Sequence, residues 1–263
     1  MDRMELLFLG TGTSAGIPMI GCHCPVCSSS DPHDKRTRPS AVVSYGETRV
    51  LIDSSPELRL QCVGNGVDMI DAAVFTHGHA DHIMGLDDLR RFNALKKGPL
   101  DIWADELTHS ALTRCFGYAF QEPEPDMKVF RPHLVWRKIE GPFEIGGVKW
   151  TPVPLFHGDL PILGFRVGRL AYCTDVNRIP ESSFELLKGL DVLVLDALQH
   201  KAHTTHFSVS EAVEVARRIG ARETWFTHIA HALAHEATNA TLPAGIRLAH
   251  DGLRVEVGNT ARG

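Results

Sequence analysis

The segment FTHGHADHIMGL, residues 75–86, places His77, His79, Asp81 and His82 within six residues. Each of these side chains can donate a lone pair to a divalent cation, so the pattern points to metal chemistry. A solvated polar turn is the plain alternative, but four ligand-type residues at this spacing rarely coincide. Other candidate ligands stand alone. They are His157 in Phe156-His157-Gly158, Asp175 after 170–174, and His228 after 223–227. Taken singly, His157 or His228 reads as a surface or hydrogen-bonded histidine. Histidine is nonetheless abundant: there are 15, and 13 of them lie at or after His77.

A second cluster sits in GCHCPVC, where Cys22, Cys24 and Cys27 form C-x-C-x2-C. In a reducing compartment this reads as three thiolate ligands of a structural zinc that needs a fourth. An unmetalled reduced loop or a redox pair is the alternative. His231, three residues after His228 in THIAH, is the candidate fourth ligand, and His23 is not. Cys62, Cys115 and Cys173 fall in apolar patterns and read as core thiols.

These residues need a scaffold that gathers them. Strands are expected over 4–9, 41–45, 48–53, 70–76, 100–104, 134–139, 148–155, 164–167, 170–174, 191–196, 223–227 and 253–257. Helices are expected over 56–62, 83–94, 106–116, 180–187 and 210–219, with a loop over 117–132. The ligand-type residues fall repeatedly where apolar strands end, which is where rigid scaffolds carry chemistry. Alternating strands and helices in both halves imply an α/β chain, with two sheets packed together and helices outside. No linker is evident, so 1–263 reads as one domain with a cysteine loop near 21–28.

Residues 77–82, HGHADH, match the HxHxDH signature of the metallo-β-lactamase fold, and the chain resembles that family from FLGTGTSAGIP to THIAH. The resemblance implies an αββα sandwich of two mixed sheets and a binuclear centre. His77, His79 and His157 would hold one ion, Asp81, His82 and His228 the other, and Asp175 would bridge them. Zinc or manganese suits such a donor set, and two ions about 3.5–4 Å apart can activate a hydroxide and clamp a phosphate. The cysteine loop with THIAH resembles the PhnP-type branch, phosphoribosyl 1,2-cyclic phosphate phosphodiesterases, in which this arrangement holds a structural zinc. Related enzymes also carry a catalytic histidine before a helix and after a strand like LVLDAL. Here that is His206, read as the general acid, with Asp81 counted beside it among the catalytic residues. A helix-entry role without catalysis is the alternative for His206. His200 and His203 line the pocket or face solvent. Asp196 supports a ligand histidine or simply caps a strand.

The leading expectation is therefore a dinuclear metal-dependent phosphodiesterase that cleaves a small cyclic phosphodiester by attack of a metal-held hydroxide. A tRNA 3′-processing endonuclease is a second expectation. The formal charge of −5 and the lack of a basic Gly/Pro-rich arm argue against it and against nucleic acid generally. A non-catalytic carrier like PqqB is a third, favoured only if the ligand set were incomplete. Gly10-Thr11-Gly12 follows a strand, but Pro18 and the cysteine loop stand where a dinucleotide-binding helix would start. Those glycines read as a turn that brings backbone to the metal pocket. Arg36, Arg38 and Lys201 are phosphate contacts or solvated surface charges. No signal peptide or membrane span is evident, so a cytoplasmic location is expected. The resemblance adds a homodimer.

Overall fold

The computed structural model describes residues 4–122 and 131–258. Two seven-stranded sheets form its centre. The first runs in the order Arg254–Val257, Met4–Gly10, Ser40–Tyr45, Thr48–Ile52, Ala72–Val74, Leu100–Ala104 and Leu134–Lys138. The second runs Ile246–Leu248, Glu223–Thr227, Val192–Asp196, Leu170–Cys173, Leu160–Val167, Val148–His157 and Phe143–Ile145. Each sheet joins an antiparallel end to a parallel run. The parallel strands are Thr48–Ile52 through Leu134–Lys138 in the first sheet and Leu170–Cys173 through Ile246–Leu248 in the second. Parallel strands need crossover connections, which place helices on the outer faces.

The sheets meet through Phe8, Trp150, Phe165 and Tyr172, all fully buried. Burying a phenylalanine side chain contributes about 2–3 kcal/mol over leaving it exposed. Two further apolar layers lie between each sheet and its helices. One sets Leu58, Leu89 and Leu112 against Leu51 and Ile102, and the other sets Ala212 and Ala216 against Leu193 and Phe226. The result is the expected four-layer αββα sandwich of mixed sheets. Among the described residues, no helix is long and apolar enough to cross a membrane.

Several elements differ from the sequence pattern. The helix expected over 83–94 is broken into Ala80–Ile83, a 3-10 turn Leu86–Leu89, and Arg90–Lys96. The break arises because backbone groups that would continue the helix bond to Ser54 instead. Ser54 N donates to His82 O at 2.7 Å, and Gly85 N donates to Ser54 O at 2.9 Å. The strand expected over 70–76 narrows to Ala72–Val74. Short strands Phe143–Ile145 and Ile246–Leu248 and the helix His235–Asn239 carry too few residues to show a period. Most of the loop expected over 117–132 lies outside the described residues, and Gly117–Phe120 forms a 3-10 turn. Cys62 and Cys173 are buried as expected, but Cys115 is exposed, because Phe116 takes the core position in that last helical turn.

Candidate metal centre

The parallel strands of both sheets end at one rim. Thr48–Ile52 delivers Asp53, and Ala72–Val74 leads to Thr76 and His77. From the second sheet, Leu170–Cys173 leads to Asp175, Val192–Asp196 ends at Asp196, and Glu223–Thr227 delivers His228. Asp53, Asp175 and His228 have φ of 59°, 53° and 59°. Non-glycine residues rarely occupy this left-handed region, at a cost of about 1–3 kcal/mol each, and persist there only where their surroundings dictate it. Among the other described non-glycine residues only Lys97, at a helix end, has a positive φ.

The gathered side chains form overlapping donor sets that share Asp175. In one, single donor atoms of Asp81, His82, Asp175 and His228 all lie within 4.8 Å of one another. So do those of His77, His79 and Asp175 in a second, and in a third those of His157, Asp175 and His206, so that His157 groups there with His206 rather than with His77 and His79. His82 Nε2 is 3.3 Å from Asp175 Oδ2 and 3.5 Å from Asp81 Oδ2. His228 Nε2 is 3.1 Å from Asp175 Oδ1 and 3.4 Å from Asp81 Oδ2, and His77 Nε2 is 3.6 Å from Asp175 Oδ2. Two donors on one tetrahedral ion, each near 2.05 Å from it, would stand roughly 3.4 Å apart. The Nε2 atoms of His77 and His82 are buried and have no hydrogen-bond partner. Buried polar atoms of that kind are costly unless something binds them, so the donors fit a cation.

The surroundings aim the rings. His82 Nδ1 bonds Asp53 Oδ2 at 2.8 Å, and Asp53 also accepts from Thr76 N and Thr76 Oγ1, both at 2.8 Å. His157 Nδ1 bonds the Thr205 carbonyl at 2.8 Å. Such bonds fix which nitrogen of each imidazole faces the centre. Burial, then the neighbouring His82, holds His77 well below the ordinary histidine range, and burial also lowers His157. His82 goes the other way: burial is outweighed by Asp175 and Asp53, which raise it well above that range. Likewise Asp175 and Asp81 outweigh burial at His228 and raise it. Carboxylates that pull protons onto imidazoles attract a metal ion in the same way. His79 is exposed and His157 half-buried, so the open side of the centre lies at these two residues.

His206 belongs to the third set, with His157 and Asp175. Its ring centroid is 4.6 Å from that of His157 and 4.7 Å from that of His228. Its Nδ1 bonds Asp196 Oδ2 at 2.7 Å, which assigns Asp196 a partner in the site. Burial first, then His228, lowers His206 to about 4, and burial raises Asp196. The Ser208–Glu211 capping box starts the helix Val209–Ile219 and fixes the approach to His206.

The cysteine cluster forms as the sequence expects. Cys22 Sγ, Cys24 Sγ and Cys27 Sγ lie 3.2, 3.4 and 3.6 Å from His231 Nδ1. Sulfur and nitrogen ligands of one tetrahedral zinc stand roughly 3.5 Å apart, so these residues fit such an ion. The Cys27 backbone N–H is the main cause that lowers the Cys24 thiol to about 6, toward the thiolate a metal requires. His23 is exposed and outside the cluster.

One sequence reading needs correction. Arg36 is no surface or phosphate-contacting charge. It is buried, and it donates to Thr11 Oγ1 at 2.7 Å and His235 Nδ1 at 3.0 Å. The Gly10–Gly12 turn packs on the 36–38 segment, where a Cβ on Gly10 would stand 2.0 Å from the Arg38 carbonyl, and its backbone also reaches the residue after His228: Ile229 N donates to Thr11 O at 2.9 Å and Thr13 N to Ile229 O at 3.0 Å. Sequence reasoning missed Asp53, whose one available signal is a carboxylate directly after the strand Thr48–Ile52.

Comparisons with known proteins agree with this geometry. A family model described as a beta-lactamase superfamily domain matches residues 48–229. A crystal structure of a diphosphatase from the PhnP family is 46% identical, with a TM-score of 0.90 and 97% of each chain covered. The chain is also 31% identical over 228 residues to coenzyme PQQ synthesis protein B of Methylobacterium nodulans, covering 73% of this chain and 72% of that one. It is 36% identical over 254 residues to a Porphyromonas gingivalis protein named octanoyltransferase, but spans only 51% of that protein's length. The fold and these relatives define a class, the metal-dependent hydrolases of this sandwich fold. The chain belongs to the beta-lactamase superfamily and, within it, to the PhnP family.

Proposed function

We propose that this PhnP-family hydrolase is a dinuclear phosphodiesterase acting on a small, cyclic phosphodiester such as phosphoribosyl 1,2-cyclic phosphate. The observation that carries the proposal is the group of overlapping donor sets that share Asp175, with His206 against His157 and His228. His77, His79 and His157 would hold one ion, Asp81, His82 and His228 the second, and Asp175 both. Once bound, a metal pair supplies Lewis acidity that lowers the pKa of water toward about 7 and clamps phosphate oxygens. The cysteine cluster with His231 would hold a third, structural zinc, which a reducing, cytoplasmic location would preserve.

The remaining steps belong to side chains. Asp196 fixes the His206 ring by its 2.7 Å bond to Nδ1 and leaves Nε2 as the nitrogen that can pass a proton to substrate. Burial keeps His206 neutral in the free protein. An anionic phosphate alongside raises its proton affinity, so Nε2 takes up a proton and gives it to the departing alkoxide. Asp81 acts by holding the second ion against His82 and His228 rather than by proton transfer.

A second reading comes from the 46% identical relative, described as a diphosphatase. A phosphate leaving group needs less protonation than an alkoxide, so the two readings differ in what they ask of His206. The test assays a ribose cyclic phosphate, bis-p-nitrophenyl phosphate and a nucleoside diphosphate, each with wild type and His206→Ala. The proposal expects cyclic phosphate cleavage that depends on His206. Cleavage of the diphosphate alone, little changed by His206→Ala, favours the second reading. No turnover of any of the three with zinc or manganese supplied refutes both and favours a carrier like the PQQ synthesis relatives.

A further inference from the structure

We infer that Asn177 is a positioning residue that staples the loop carrying His206 to the strand end carrying His157. The inference rests on the proposal above for the roles of these two histidines, and on geometry for the staple.

Asn177 lies two residues after Asp175, in a segment threaded between two others. Val176 N donates to Asp196 Oδ2, and Phe207 N donates to Val176 O, both at 3.0 Å. On the other side, Asn177 N donates to Phe156 O and Phe156 N to Arg178 O, both at 3.0 Å. The Asn177 side chain extends this mesh. Its Oδ1 accepts from Gly158 N at 2.8 Å, and its Nδ2 donates to the Thr204 carbonyl at 2.7 Å. An amide fits this place because it offers an acceptor and a donor on one short stem, whereas a carboxylate would set an acceptor against the Thr204 carbonyl.

The staple holds the carbonyl that orients His157. Residues 200–204 are exposed, and among the described residues the hydrogen bond that ties them to the chain outside 199–208 is the one from Asn177. Directly after Thr204, the Thr205 carbonyl accepts from His157 Nδ1, and His206 follows. Gly158 completes the junction: its φ is +62°, and a Cβ there would stand 3.0 Å from Thr205 Cγ2. Loss of Asn177 therefore frees the Thr205 carbonyl and blurs the geometry between His157 and His206. A misplacement near 1 Å in such an assembly can cost on the order of 100-fold in rate.

The test compares wild type, Asn177→Ala, Asn177→Asp, His206→Ala and the Asn177→Ala/His206→Ala double variant. Hydrogen exchange comes first because it needs no substrate. In Asn177→Ala the amides of Gly158 and Phe207, which donate to Asn177 Oδ1 and the Val176 carbonyl, should exchange faster at unchanged metal content. In Asn177→Asp the Gly158 amide should stay protected while the Phe207 amide exchanges faster. Should Asn177→Ala fold poorly, the Asp variant carries the test at the Thr204 side. With substrate, Asn177→Ala should lower kcat about 10-fold or more on a ribose cyclic phosphate, yet under about 3-fold on bis-p-nitrophenyl phosphate, whose leaving group needs no proton. Adding Asn177→Ala to His206→Ala should then cost little more, because the two act through one step. Unchanged exchange at Gly158 and Phe207 in Asn177→Ala overturns the inference, as do equal losses on both substrates. If wild type cleaves neither substrate, the phosphodiesterase reading falls while the exchange result still decides the staple.

Discussion

Two clusters of ligand-type side chains flank one short segment, with His228 on the His/Asp side and His231 on the cysteine side. Their chemistry differs. The cysteine cluster has four donors matched to a tetrahedron and no place for a substrate, the mark of a structural site. The His/Asp centre shares one carboxylate among its donor sets and opens to solvent at His79 and His157, the mark of a site that admits a reactant. The backbone follows the same division. Left-handed Asp53, Asp175 and His228 all belong to the open centre, so strain is concentrated where side chains must converge.

If this contrast holds, substitutions in the two clusters should separate activity from stability. The largest effect on turnover is expected from Asp175→Ala, which removes the shared donor. Activity should fall on the order of 1,000-fold, both centre ions should be lost, and the cysteine zinc should remain, as read by kinetics and elemental analysis. Next comes His206→Ala, with about 100-fold lower kcat on an alkoxide leaving group and unchanged metal content. Asp53→Asn should follow. It weakens the grip on His82 and should reduce affinity for the second ion about 10- to 100-fold, measured by metal titration.

On the cysteine side, turnover per folded molecule should change least and stability most. Cys24→Ser should release one zinc and lower Tm on the order of 10 °C while the open centre keeps its ions. The thiol itself offers a pH test. With Cys24 lowered to about 6, zinc-stripped protein at pH 7 presents a thiolate there, and alkylation should slow as pH falls below 6. Zinc should suppress the reaction. Equal reactivity of Cys24 and Cys115 at pH 7 would contradict the lowered thiol.

The same contrast explains what sequence could show. HGHADH and C-x-C-x2-C are read directly because their ligands share one short segment each. Asp175, His157 and His228 are read only through family resemblance, since nothing local separates them from ordinary strand-end residues. Asp53 and Asn177 escape sequence reasoning because their roles come from contacts across the fold, with His82 and with the Thr204 carbonyl. The break after Ile83 escapes for the same reason: apolar spacing over 83–94 is helical, but Ser54 captures the backbone.

The most direct test of the central claim counts metal in each cluster. Wild type, Asp175→Ala and Cys24→Ser, purified without chelator, would be analysed for bound ions per chain. The account predicts about three in wild type, about one in Asp175→Ala and about two in Cys24→Ser, with hydrolysis surviving only where the centre pair remains. A single ion in wild type, lost through Cys24→Ser and untouched by Asp175→Ala, would contradict it.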